Sequence, residues 1–300
     1  MNRNHESALA RFALALLAGC LCGLDANAQT LLRWTLKPGT VYDVERTIAQ
    51  KQIVEIQGKA TTEERKSIWR VRLQATEQRG DEFIVLATLA EVRHHLVGVV
   101  KEELLDANLH EKIQGANFTM RVAPDGRIVE FGGYEDFLMR VAGGRKGATK
   151  VVRQAYPEVM LRDAFGDIFV QLPDKAVKPG DSWQRAFVEP IPHFGTFQAK
   201  AIYTYESDKD NTARIATTIT TKYELPKNES AVVFRVVQGT IETEKSEGML
   251  TFNRQAGHVA QHDRRWLLQG KLVIEAANQR QTVVFTSESM TSILIAVVKK

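Results

Sequence analysis

Polar and apolar residues alternate along most of this chain, the period of a β-strand with one face in water. Tyr42, Val44, Ile48, Val54 and Ile56 share one parity, and Asp43, Glu45, Thr47 and Glu55 share the other. Residues 31–57 therefore read as β, chiefly a long half-buried strand after a Pro38-Gly39 turn. Gly58-Lys59 turns the chain, and Trp69, Val71, Leu73 and Ala75 repeat the pattern against Arg70, Arg72 and Gln74. After Arg79-Gly80-Asp81, the run from Phe83 to Ala90 is apolar on both parities, which predicts a strand covered on both faces. Residues 97–116 fit either a short helix starting near Glu102 or a loop. Phe118, Met120 and Val122, then Pro124-Asp125-Gly126, then Ile128 to Phe131 read as a hairpin.

The period changes at 134–171. Phe137, Leu138 and Val141 have helical spacing, and Gly143-Gly144 ends that run. From Val151 to Phe169 the apolar positions, among them Val152, Tyr156, Val159, Met160 and Phe165, form an amphipathic stripe. Pro157 lies inside it and predicts a kink or break, because proline removes a backbone donor and clashes with the preceding turn. Packing against a sheet is the simplest use of such a stripe, and a lid over an apolar cavity is the alternative.

Alternation resumes after Trp183. Phe197 to Tyr205, Ile215 to Tyr223 and Val232 to Val236 give successive strands, and Met249 to Phe252 with Val259 onward gives a hairpin. Trp266 and Leu268 precede an expected turn at Gln269-Gly270, with a new strand from Leu272 to Ala276. Val283, Phe285 and Ile293 to Val298 close the chain. Each β region opens with Lys-Pro-Gly: Lys37-Pro38-Gly39 and Lys178-Pro179-Gly180, a type II turn signal. The pattern predicts a mainly β (α+β) fold of two successive antiparallel meander halves. They would form curved sheets or a half-barrel, with a helical insert at about 134–171. The expected organisation is a signal peptide at 1–28, a first β half at 29–133, the insert, and a second β half at 172–300.

The leader changes the picture of where the chain goes. Arg3 and Arg11 precede an apolar run from Phe12 to Leu24 that is too short to span a bilayer, and Ala26-Asn27-Ala28 is a small-x-small cleavage site. This predicts export, with Gln29 as the new N-terminus. Leu17-Ala18-Gly19-Cys20 resembles a lipobox, so lipidation at Cys20 is the competing route to an anchored protein. The only cysteines, Cys20 and Cys22, lie in the leader, so the mature chain is read as having no disulfide, thiolate nucleophile or cysteine metal site. With 40 basic and 36 acidic residues interspersed, no basic patch points to nucleic acid.

Candidate chemistry is sparse. His94 and His95 are adjacent and would face opposite sides of a strand. His258 and His262 would lie about 13 Å apart on a strand at ~3.3 Å per residue, too far for one ion. Asp163 and Asp167, one helical turn apart, read as the wet face of the helix rather than an acid–base pair. Ser182 has no Gly-x-Ser-x-Gly setting, and no phosphate-binding or dinucleotide loop is present. No catalytic, cofactor or metal residues are assigned, and a non-enzymatic role is the expectation.

Leu32 to Gly39, Phe118 to Gly126 and Leu172 to Trp183 together resemble an uncharacterised family of exported bacterial proteins, a domain of unknown function common in planctomycetes. Those motifs are turns and strand starts. The resemblance implies export and a mostly β fold, and no activity. By analogy of fold, long curved strands with amphipathic helices resemble half-barrel periplasmic carriers. A carrier or binding module for an apolar small molecule or lipid is thus the first reading. Its candidate cavity lining is Trp69, Phe197, Tyr203, Phe234 and Trp266 from the strands, with Tyr156, Met160 and Phe165 from the insert. A non-catalytic structural or interaction protein of the cell envelope, its helices plugging the sheet, is the alternative.

Overall fold

The structure, a computed structural model, describes residues 29–97, 109–145, 147–191, 195–226, 234–276 and 279–298. The leader with Cys20, the helix start considered at Glu102 and the strand start at Val232 lie outside the described residues. The first meander comprises β1 (Val41–Ile56), β2 (Lys59–Arg79), β3 (Glu82–Val97), β4 (Asn117–Val122) and β5 (Ile128–Gly132). The second comprises β6 (Ser182–Ile191), β7 (Gly195–Lys209), β8 (Thr212–Glu224), β9 (Phe234–Asn253), β10 (His258–Ala276) and β11 (Gln279–Val297). They join into one eleven-stranded antiparallel sheet of order β5-β4-β3-β2-β1-β11-β10-β9-β8-β7-β6. The seam is the β1–β11 ladder, from Tyr42 opposite Val297 to Ile56 opposite Val283.

The twin Lys-Pro-Gly turns form the same structure twice. Gly39 and Gly180 sit at φ 81° and 93°, where a side chain would be strained. Thr40 and Asp181 each donate back to the lysine carbonyl at 3.0 Å. The Gly39 and Gly180 amides dock on the second strand of their own meander, at the Ala75 and Tyr205 carbonyls. The segments before the turns, around Thr30 and Val177, bridge one another. They also bind both hairpin tips: Trp34 and Leu172 donate to the Pro124 and Asp125 carbonyls, and Thr35 to that of Gly257. Residues 31–36, expected as strand, are therefore extended with Leu32, Trp34 and Leu36 buried, yet lie in no ladder, because their partners are turns.

Among the described residues, α1 (Leu109–Ile113) lies between β3 and β4, and α2 (Tyr134–Ala142), α3 (Ala148–Ala155) and α4 (Glu158–Ile168) follow β5. Pro157 caps α4 and separates it from α3. This break swings the apolar stripe: Val151 and Val159 face solvent, while Leu161, Phe165 and Ile168 are buried. Phe165 meets Phe118 and Phe131, at ring separations of 5.3 and 5.8 Å, under the helices.

The sheet curls tightly around α4. Trp69 on β2 and Phe187 on β6 are seven strand spacings apart, about 34 Å in a flat sheet at ~4.8 Å each. Both nevertheless line one cleft beside α4. Phe197 on β7 and Trp266 on β10, three spacings apart, have rings 6.1 Å apart. The sheet does not close on itself. Instead α4 bridges its two edges: Arg162 donates to the Ile128 carbonyl of β5 at 2.7 Å, and Arg185 of β6 donates to the Gly166 carbonyl at 2.9 Å.

Two strand expectations are corrected. β3 has one buried face only: Phe83, Val85, Ala87 and Leu89 are buried, Ile84 and Leu86 are half-buried and Ala90 is exposed. Among the described residues, no second layer covers the convex face there. Gln269-Gly270 is no turn, because β10 runs through it from His258 to Ala276. A Cβ on Gly270 would stand 2.2 Å from the Thr240 carbonyl oxygen, so this glycine permits close strand approach rather than reversal.

Candidate functional site

The concave face of the sheet meets α4 in a cleft of about 270 Å³. Its walls are apolar: Ile48 of β1, Trp69 of β2, Met160 and Leu161 of α4, and Phe187 and Val188 of β6. Its polar part is a cluster of three arginines and two aspartates: Arg46, Arg185, Arg264, Asp163 and Asp167. A second, more polar cleft of about 400 Å³ lies on the β5 side of α4, and Asp163 and Arg185 border both.

Asp167 is the centre of the cluster. Its carboxylate accepts from Arg46 Nη2 of β1 and Arg264 Nη2 of β10, each at 2.8 Å, with a second Arg264 contact at 3.3 Å. All three side chains are largely buried, at 11% exposure for Arg46 and 18% for the other two. Burial pushes the Asp167 carboxyl up, but Arg264, Arg46 and Arg185 more than reverse this and hold it well below the usual carboxylate range. Asp163, one turn earlier, moves the other way: burial raises its carboxyl against the pull of Arg185, 3.9 Å distant. The reading of both aspartates as the wet face of a helix is thus corrected for Asp167. A helix wrapped by a sheet presents even its polar side to strands. The legible signal was Arg46, which shares the inward parity of Val44 and Ile48, and Arg264, which shares that of Trp266 and Leu268.

The cluster is under-satisfied. Three buried side-chain atoms among the described residues meet no hydrogen-bond partner: Arg46 Nε, Thr217 Oγ1 and His262 Nε2. Register places them on the same face of the sheet, one strand removed from a member of the cluster or from each other. Arg46 and His262 both stand opposite Ile293, on either side of β11. Gly248 stands opposite both Arg264 and Thr217. An unmet buried donor or acceptor costs about 1–3 kcal/mol. Burial, reinforced by Arg264, pulls the His262 imidazole down to about 4, so it is neutral at neutral pH.

Of the candidate lining residues, the cleft brings together Trp69 and Met160. The others lie elsewhere. Phe165 belongs to the cluster beneath the helices, and Tyr156 packs on Phe137 at 5.9 Å. Tyr203 stacks on Trp183 at 5.6 Å, Phe197 and Trp266 meet each other, and Phe234 is half-buried at the start of β9. Ile48, Phe187, Val188 and the arginines complete the cleft without having been singled out. No group of three His, Cys, Asp or Glu side chains able to hold a metal occurs among the described residues.

Residues 100–258 match the model of a family of unknown function, DUF6263. The chain belongs to that family. The match contains the Phe118–Gly126 and Leu172–Trp183 motifs, the helices and the edge strand β6, but not β1 or most of β10. No curated protein matches the sequence. Among solved structures, lipovitellin, described by its lipid–protein interactions, aligns over 88% of this chain with a TM-score of 0.45 and 11% identity. The aligned part is 26% of lipovitellin, so this chain spans about a quarter of it. The COG4313 outer membrane channel from Pseudomonas putida F1 aligns over 88% of this chain and 97% of its own, with a TM-score of 0.23 and 8% identity. A DUF1329 family protein from Desulfovibrio piger aligns over 84% and 83%, with a TM-score of 0.13 and 8% identity. These scores do not establish a shared fold. No helix among the described residues is long and apolar enough to cross a membrane.

Proposed function

We propose that this is an exported envelope protein that binds an apolar ligand in the cleft between α4 and the concave face of the sheet. The observation that carries the reading is the wall composition. Five strands and helices converge on about 270 Å³ with Ile48, Trp69, Met160, Phe187 and Val188 facing it. Binding pockets for drug-sized molecules run to roughly 300–1,000 Å³. This cleft falls just below that range, fitting one aliphatic chain or ring with the remainder outside. Met160 and Val188 are 37% and 46% exposed, apolar surface that a ligand would cover.

The test is uptake of a fluorescent fatty acid by the mature chain, compared with Met160→Trp and Val188→Trp, which fill the cleft from opposite walls. Saturable uptake by the wild type, lost in both variants at unchanged melting temperature, is the expected outcome. A wild type that takes up no apolar probe overturns the reading. The Phe118, Phe131 and Phe165 cluster favours a second one, in which the helices only plug the sheet and the protein is a structural or interaction component of the envelope. That reading expects no uptake. Export is supported by the charged start, apolar run and Ala26-Asn27-Ala28 of the leader, with lipidation at Cys20 as its alternative.

A further inference from the structure

The polar end of the cleft carries more positive than negative groups among its lining residues. Arg46, Arg185 and Arg264 face Asp163 and Asp167, three cations against two carboxylates. Asp167 already accepts from two of the arginines. Arg185 spends one terminal nitrogen on the Gly166 carbonyl, and its nearest carboxylate oxygen, on Asp163, is 3.9 Å away. Arg46 holds Asp167 through Nη2 while its Nε stays buried with no acceptor. On the same inward face, His262 and Thr217, at 2% and 3% exposure, also hold unmet polar atoms. Buried polar groups are nearly always paired. Of the three, Arg46 Nε lies in the cleft itself, and an unmet buried donor beside two further arginines and an apolar wall points to a site shaped for an acceptor group. A carboxylate meets the need: it is acceptor-only, it matches an arginine fork, and it balances the extra cation.

We propose that the ligand is a single-chain aliphatic carboxylic acid, which enters head first. Its carboxylate accepts from Arg46 Nε within the field of Arg185 and Arg264, and its chain lies along Trp69, Met160, Phe187 and Val188. This rests on the apolar-cleft reading above and narrows it to an acidic amphiphile. The alternative occupants of an arginine site, a free small anion or an uncharged apolar chain, separate in the test.

Calorimetric titration of the mature chain with decanoate, decanol and acetate at neutral pH separates head from tail. Decanoate should bind at least tenfold more tightly than decanol, since the hydroxyl can accept a hydrogen bond from an arginine but supplies no negative charge. Acetate, lacking the chain, should bind more weakly than either. Arg46→Lys keeps a cation against Asp167 but removes the Nε donor. It should lower decanoate affinity about tenfold and leave decanol affinity unchanged. Arg185→Gln, which does not touch Asp167, should weaken decanoate alone and serves if Arg46→Lys does not fold. Equal affinity for decanoate and decanol, with both variants indifferent, overturns the acidic head while leaving the apolar cleft standing. No binding of either chain overturns both. Acetate binding as tightly as decanoate makes this a small-anion site and overturns the amphiphile.

Discussion

His262 makes the fold sensitive to acid. It sits on β10 opposite Leu250 and Ile293, at 2% exposure, with Nε2 unmet. Burial and then Arg264 lower its imidazole from 6.5 to about 4, with Asp167 and Asp263 opposing weakly. The unfolded chain therefore binds a proton more readily than the folded one, so stability rises with pH across this interval. The contribution is complete above about pH 6.5 and is lost as pH falls towards 4. At about 1.4 kcal/mol per pH unit, the displacement is worth about 3 kcal/mol. His262→Leu replaces the ring with an apolar side chain suited to its neighbours and deletes the unmet nitrogen. Urea unfolding followed by tryptophan fluorescence at intervals from pH 7 to pH 4 gives the stability of both proteins. The wild type should lose about 3 kcal/mol more than His262→Leu over that range. At pH 7 the two should differ by less than about 1.5 kcal/mol, as for other volume-conserving core changes. Asp163 and the exposed carboxylates titrate in both proteins and cancel in the difference. Parallel pH profiles would refute the reasoning, because they would mean that His262 is protonated inside the fold.

Asp167→Asn tests the charge cluster. It leaves Arg46 and Arg264 buried without their carboxylate, so a loss of about 3–5 kcal/mol in urea unfolding at neutral pH is expected. A loss under about 1 kcal/mol would place those arginines in water. For the leader, intact mass of the protein recovered from its host should give a chain beginning at Gln29. A diacylglyceryl adduct on Cys20 would instead make it an anchored lipoprotein.

Much of the fold was legible because its rule is local. Period-two alternation gives strand and face together, so Phe197, Ala199, Ala201, Tyr203 and Tyr205 could be placed on one buried face from the sequence. Lys-Pro-Gly marked both meander openings because proline fixes φ and glycine admits positive φ wherever they stand. The misreadings had non-local causes. Gly270 carries a turn signal, but its role is set by Thr240 on the neighbouring strand. The apolar run from Phe83 to Leu89 suits a two-sided strand, and only the missing outer layer leaves one side half-open. Asp167 has the spacing of an exposed carboxylate, and only the wrapping of β1 and β10 around α4 buries it.

The element types, the two meanders and the helical break at Pro157 were written in the sequence. Each depends on residues within a few positions of one another. Tertiary structure decided the rest. It paired β1 with β11 across more than two hundred residues and curled the sheet until Trp69 and Phe187 shared a cleft. It set α4 in the opening and gathered Arg46, Asp167, Arg185 and Arg264 from four elements. Sheet curvature and charge pairing are sums over distant contacts, so residues that are unremarkable along the chain become a site only once it closes.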